Sequence, residues 1–251
     1  MRILLAEDNI VNQRIARAIL ERAGHVVSIA GSGTAAVAAV ESSVFDLVLM
    51  DVEMPEMSGT DATAAIRRRE RLKGGHVPII ALTAHSLKGD RERCLDAGAD
   101  GYVPKPIVRG DLFGEIESVL TTNGHPMRTP ETGVIGTREQ LLGFVDGYEP
   151  LLDELIDLFM QDAPRVMSSI RTALNDRNAN ALYAAAHTLK GSAANFGGER
   201  TTLACERLEV RAKESDFATA AQVCTTIEHE LDHMLSALAA TRKTAVVRCA
   251  S

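Results

Sequence analysis

Leu47-Val48-Leu49-Met50-Asp51-Val52-Glu53-Met54-Pro55 is the stretch on which the fold turns. Four successive apolar residues without alternation describe a strand covered on both faces, and the abrupt carboxylate of Asp51 marks where that strand leaves the core. Working outward, apolar runs at 3–6, 26–30, 79–82 and 101–103 have the same character. Segments with helical periodicity at 9–23, 32–41, 59–69, 88–97 and 109–120 separate them. Strand and helix alternating in this way predict a doubly wound, five-stranded parallel sheet with helices on both faces.

Sheets of this class bind ligands beyond the carboxyl ends of their strands, so the residues at those ends carry the chemistry. Here they are Glu7 and Asp8 after the first run, Asp51 after the third, Thr83 after the fourth, and Lys105 after the fifth. Three carboxylates form a hard oxygen site suited to Mg²⁺, which keeps several waters and takes few protein ligands. Beside such an ion a carboxylate acts as a nucleophile toward a phosphoryl group instead of repelling it. Thr83 is placed to donate a hydrogen bond to a phosphoryl oxygen, and Lys105 to neutralise another.

Residues 1–121 therefore resemble the receiver domain of two-component signalling. The resemblance is carried by Glu7-Asp8-Asn9, by Leu49 through Pro55 with Gly59, by Leu82-Thr83-Ala84, and by Gly98-Ala99-Asp100-Gly101-Tyr102 through Lys105-Pro106-Ile107. It implies that Asp51 accepts the phosphoryl group and that Glu7, Asp8 and Asp51, with the carbonyl of Glu53, hold Mg²⁺. It also implies that Thr83 and Tyr102 form a switch pair and that the Lys105–Pro106 peptide is cis.

Residues 122–136 hold Asn123-Gly124, Pro126, Pro130, Gly133 and Gly136 without periodicity and read as an exposed linker, with His125 facing solvent. From Thr137 the strand pattern stops. Thr137-Arg138-Glu139-Gln140 has the spacing of a capping box, and apolar stripes follow at 150–175, 179–195, 200–214 and 217–241. An antiparallel four-helix bundle over 137–241 is expected, interrupted by a kink at Pro164 and followed by a tail at 242–251.

In the second of these helices Leu182, Ala186, Leu189, Ala193 and Phe196 define the buried side. His187 lies roughly 140° from the centre of that stripe at 3.6 residues per turn and is expected to face solvent. Gly191 follows one turn on, where an interior glycine costs about 1 kcal/mol against Ala and so suggests a use for the open space. Lys190 is expected beside them, offsetting phosphate charge. Ala186-His187-Thr188-Leu189-Lys190-Gly191-Ser192-Ala193-Ala194-Asn195 with Gly197 resembles the signature of the histidine-phosphotransfer (HPt) domain. That resemblance extends from Leu155–Pro164 before the signature to Leu203–Glu209 after it. It implies that His187 is phosphorylated, with Lys190 and Gly191 in support.

The remaining features mostly exclude. A net charge of -7 argues against broad nucleic-acid binding, which draws on clustered Lys and Arg. Cys94, Cys205, Cys224 and Cys249 show no CxxC spacing, so reduced thiols are expected rather than a zinc knuckle or a redox pair. The apolar start is too short before Glu7 for a signal peptide, and no run approaches the ~18 apolar residues of a spanning helix, which points to a cytoplasmic protein without membrane insertion. His229-Glu230-Leu231-Asp232-His233 matches the HExxH zinc-protease pattern, but the stripe Val223, Ile227, Leu231, Met234 and Leu238 puts both histidines on the solvated face. No His, Asp or Glu follows in 234–251 as a third ligand.

No P-loop or kinase Gly-rich loop is present. The expectation is a phosphorelay protein rather than an enzyme. Asp51 takes a phosphoryl group from a histidine kinase, and His187 exchanges one with receiver aspartates, including that of a downstream response regulator. The same order of domains occurs at the carboxyl end of hybrid sensor kinases. The competing expectation is a binding switch, in which Asp51 phosphorylation controls the helical region and His187 is not used.

Overall fold

A computed structural model describes residues 1–83, 88–121, 138–145 and 147–241. The expected linker and tail, the Thr137 cap, Ala84, His125 and Cys249 lie outside the described residues. The chain divides into two units, 1–131 and 132–251.

In the first unit the order is β1 (Arg2–Ala6), α1 (Ile10–Arg22), β2 (Val26–Ala30), α2 (Gly33–Ser42), β3 (Leu47–Asp51), α3 (Gly59–Lys73), β4 (Ile79–Thr83), α4 (Lys88–Asp96), β5 (Gly101–Pro104) and α5 (Arg109–Thr121). The five strands form one sheet in the order β2-β1-β3-β4-β5, all parallel. Every residue of β3 and β4 is buried. That is why their sequences do not alternate: Leu4, Val48 and Met50 meet Ala36, Ala62 and Ile66 from α2 and α3 on one face, while Ile3, Leu5, Leu47 and Leu49 are fully buried as well. Each such Leu or Ile contributes about 1.5–3 kcal/mol of transfer free energy. Strand β2, at an edge, is covered poorly, with Val26 and Ile29 exposed.

Helix starts are set by side chains that satisfy orphan amides. Asn9 Oδ1 accepts from Val11 and Asn12 at the start of α1, and Ser58 Oγ accepts from Asp61 at the start of α3. The amino end of the sheet is tied by Arg67 of α3, only 8% exposed. Its guanidinium donates to the carbonyls of Gly98 and Val77 and to Glu70 and Asp100, at 2.6–2.9 Å. Asp100 in turn accepts from the amide of Ile79 at 2.7 Å.

The second unit is helical: α6 (Arg138–Phe144), α7 (Glu149–Asn175), α8 (Ala179–Ala194), α9 (Glu199–Lys213) and α10 (Phe217–Thr241). The long helices pack α7 on α8, α8 on α9, α9 on α10 and α10 on α7, which closes a four-helix bundle. Phe159 and Phe196 meet in its core with centroids 5.0 Å apart. The short α6 packs on α7, and Arg138 joins Asp153 to the carbonyl of Thr241 at 3.0 and 2.8 Å. Helix α7 runs through Pro164 as one continuous element. Pro164 is exposed, so the carbonyl deprived of its amide partner lies on the side reached by water.

Candidate functional site

The reversal of strand order about β1 brings the carboxyl ends of β1 and β3 side by side, and with them Glu7 and Asp51. Both are buried, at 0% and 2% exposure. Lys105, after β5, places its ammonium 2.7 Å from Glu7 Oε2 and 2.6 Å from Asp51 Oδ2. Glu7 is further held through Oε1 by the side-chain amide of Asn12 at 3.0 Å. Burial would lower the proton affinity of Lys105, but the charges of Asp51 and Glu7 prevail and hold it above the usual lysine range. For Asp51, burial and the neighbouring charges of Glu7 and Asp8 outweigh the opposing pull of Lys105, so its carboxyl is held well above the usual range.

Carboxylate oxygens of Glu7, Asp8 and Asp51 come within 4.8 Å of one another. Three carboxylates against one ammonium leave net negative charge among hard oxygen donors, and a divalent ion such as Mg²⁺ fits that set. The backbone beneath is fixed by α3. The Gly59 amide donates to the Val52 carbonyl at 2.9 Å, and a Cβ on Gly59 would fall 1.8 Å from the carbonyl oxygen of Asp51.

The amide of Glu53 donates to Asp51 Oδ1 at 3.2 Å. Thr83 is buried at the end of β4, and its carbonyl accepts from the Lys105 amide at 2.7 Å. The Lys105–Pro106 peptide is cis. Tyr102, on β5 beside β4, is half-buried against a small cluster of Ala81, Cys94 and Ala99, with the guanidinium of Arg91 5.4 Å from its ring centroid.

In the helical unit the arrangement differs from expectation. His187 does not stand in open solvent: its side chain is only 13% exposed, with Nδ1 2.9 Å from Glu209 Oε1. Lys190 is buried and puts its ammonium 2.8 Å from Glu209 Oε2, so its charge is directed at a carboxylate instead of being held in reserve. The reason is geometric. Glu209 of α9 projects into the α8/α9 seam and, 5% exposed, requires compensation from both neighbours.

Burial alone would raise the Glu209 pKa, but the hydrogen bond from His187 and the charge of Lys190 outweigh it and hold the carboxyl below its ordinary range. An ionised carboxylate only accepts, so in this contact Nδ1 of His187 is the donor. The ring of Tyr183 stacks on the imidazole, centroids 6.0 Å apart and planes 18° apart. Asn195 donates to the Gly191 carbonyl at 3.0 Å.

His229 and His233 are exposed on α10 with centroids 4.5 Å apart, and Ile227, Leu231, Met234 and Leu238 of the same helix are buried. The histidines thus lie on the surface, outside any shielded cleft. Cys94, Cys205 and Cys224 are buried thiols. Sequence reasoning did not single out Asn12 or Glu209. A residue that supports another through one hydrogen bond leaves no spacing signal unless the facing element is already known.

The response regulator receiver domain family matches residues 3–117, and the Hpt domain family matches residues 154–241. The chain is similar to the sensor histidine kinase GacS of Pseudomonas protegens, 31% identical over 253 residues that cover 97% of this chain and 27% of that protein. Hybrid signal transduction histidine kinase I of Dictyostelium discoideum is 45% identical over 124 residues, 47% of this chain and 7% of that one. The chain thus spans about a quarter of the first relative and less than a tenth of the second. Among solved structures, the receiver domain of a Pseudomonas aeruginosa sensor histidine kinase, with a magnesium ion coordinated in its active site cleft, is 42% identical. It covers 48% of this chain and 97% of that one at a TM-score of 0.44. The α/β unit belongs to the receiver family and the helical unit to the Hpt family, which makes this chain a receiver joined to an Hpt domain, a protein of phosphorelay signalling.

Proposed function

We propose that Asp51 and His187 are the two phosphoryl-accepting groups of this chain and that the side chains packed against each set its reactivity. At the first, a carboxylate oxygen of Asp51 attacks the phosphorus of a kinase phosphohistidine. An O–P bond forms, the N–P bond breaks, and the electron pair stays on the departing imidazole. Lys105, already in contact with Asp51, neutralises a phosphoryl oxygen, and Thr83 donates to another. Mg²⁺, held by Glu7, Asp8, Asp51 and the Glu53 carbonyl, would supply charge neutralisation that lets anion approach anion. Thr83 and Tyr102 report the modified state.

At the second, the observation that carries the reading is the contact of His187 Nδ1 with Glu209. It leaves Nε2 as the nucleophile toward an aspartyl phosphate. An N–P bond forms there, the O–P bond breaks, and the pair returns to the aspartate carboxylate. The imidazolium-like charge that develops is stabilised by Glu209, whose own orientation Lys190 fixes. Gly191 keeps the approach to the ring low, so that the rim of a receiver comes close.

No described helix is long and apolar enough to cross a membrane. The partners that fit are a sensor histidine kinase as donor and a response regulator as acceptor, in the cytoplasm, with no nucleic-acid partner. The chain relays phosphoryl groups and does not draw them from ATP. The test is labelling of wild type, Asp51→Asn and His187→Gln by a small phosphodonor with Mg²⁺, read by intact mass and by acid and base lability. Base-labile label that needs Asp51 and acid-labile label that needs His187 are expected. If His187 stays unlabelled even by a phosphorylated receiver, the relay reading falls and the helical unit is an output surface.

A further inference from the structure

With Lys190 held against Glu209, the charge expected to meet a phosphoryl group on His187 must come from elsewhere, and the α8/α9 seam offers one source. Tyr183 and His187 stand one turn apart on α8, and Glu209 and Lys213 one turn apart on α9, so each pair shares a helix face. The two faces meet in antiparallel register. His187 touches Glu209 at 2.9 Å, and the Lys213 ammonium lies 4.6 Å from the Tyr183 ring centroid. That ring itself stacks on the imidazole at 6.0 Å. The ammonium is thus no more than about 11 Å from the imidazole centroid.

Lys213 is exposed at the last residue of α9, and an exposed cation over an aromatic face is weakly held. A flexible four-carbon stem carrying a point charge suits a move of this kind, whereas a buried lysine already paired with a carboxylate does not. We propose that Lys213 is a phosphoryl-binding residue: it rests on the Tyr183 ring while His187 is unmodified and moves to the phosphoryl oxygens once the N–P bond has formed. Tyr183 serves as its resting place and as the flank that keeps the imidazole in plane. The ligand is an anionic phosphoryl group on the neighbouring ring. This inference rests on the proposed role of His187.

The experiment uses the full chain carrying Asp51→Asn, so that label stays on the helical unit, phosphorylated with phosphoramidate. The ³¹P resonance of the phosphohistidine is followed from neutral to mildly acid pH. An ammonium in contact lowers the proton affinity of the phosphoryl group. Lys213→Ala is therefore expected to raise that affinity about threefold and Lys213→Glu about tenfold, as for partly exposed charge contacts, while Lys213→Arg keeps the wild-type titration. Added salt should bring the wild type toward the Lys213→Ala behaviour and leave that variant unmoved. Identical titrations in all variants overturn the assignment of Lys213. No phosphohistidine signal in the Lys213-containing protein instead overturns the reading of His187 itself.

Discussion

In the α/β unit an ammonium, that of Lys105, spans two carboxylates. In the helical unit a carboxylate, that of Glu209, spans a histidine and an ammonium. The two clusters use the same kinds of group with the central role exchanged. Where the proposed nucleophile is an acid, the site collects negative charge and must import cations. Where it is an imidazole, the surroundings supply a fixed acceptor that selects the tautomer, and the cation serves that acceptor. One site is therefore expected to depend on metal and the other to be complete in its own side chains.

Chelation of divalent ions makes the largest break between them. Asp51 labelling by a small phosphodonor should fall roughly a thousandfold, the scale of several kcal/mol of charge stabilisation, while His187 labelling stays within about twofold. Equal losses would show that both sites depend on metal alike. Next comes Lys105→Met with Mg²⁺ saturating: loss of one preorganised charge should slow Asp51 labelling about a hundredfold, as read by base-labile mass.

Glu209→Leu is expected to slow His187 labelling about tenfold by releasing the ring, and to cost about 3 kcal/mol in urea unfolding by leaving Lys190 buried without a partner. Adding Lys190→Met to it should recover most of that stability but none of the labelling, which separates support of the fold from support of the imidazole. The smallest effect is with pH. Because the folded pKa of Glu209 is depressed, its stabilisation is complete above the ordinary glutamate value of about 4.3. It is lost as pH falls through the lower folded value. Circular dichroism of the helices should show Glu209→Gln lacking that component of acid destabilisation.

The sheet was legible because a strand buried on both faces writes itself as an unbroken apolar run, and a parallel sheet sends all its strand ends to one edge. Glu7, Asp51, Thr83 and Lys105 could be brought together from order alone. The α8/α9 seam was less legible. Periodicity tells which side of α8 is buried, but not which residue of α9 faces it, and Glu209 is one acidic residue among several on its helix. Lys190 adjoins the buried Leu189, so a small rotation decides between water and the seam; the carboxylate opposite decides for the seam. At Pro164 the helix stays continuous, with the proline on its exposed side.

Arg67 gives the α/β unit a fixed end. Its guanidinium ties α3 to the segment before β4 and to the loop before β5, on the edge of the sheet away from Asp51. Displacement of Thr83 or Lys105 therefore works like movement of the far end of a beam clamped at its root. Small shifts accumulate toward the tip, and the root stays with α3. Amide exchange should accordingly be slowest at Ile79, whose N–H is held by Asp100 within the clamp, and should leave the rate there unchanged when the far end is phosphorylated.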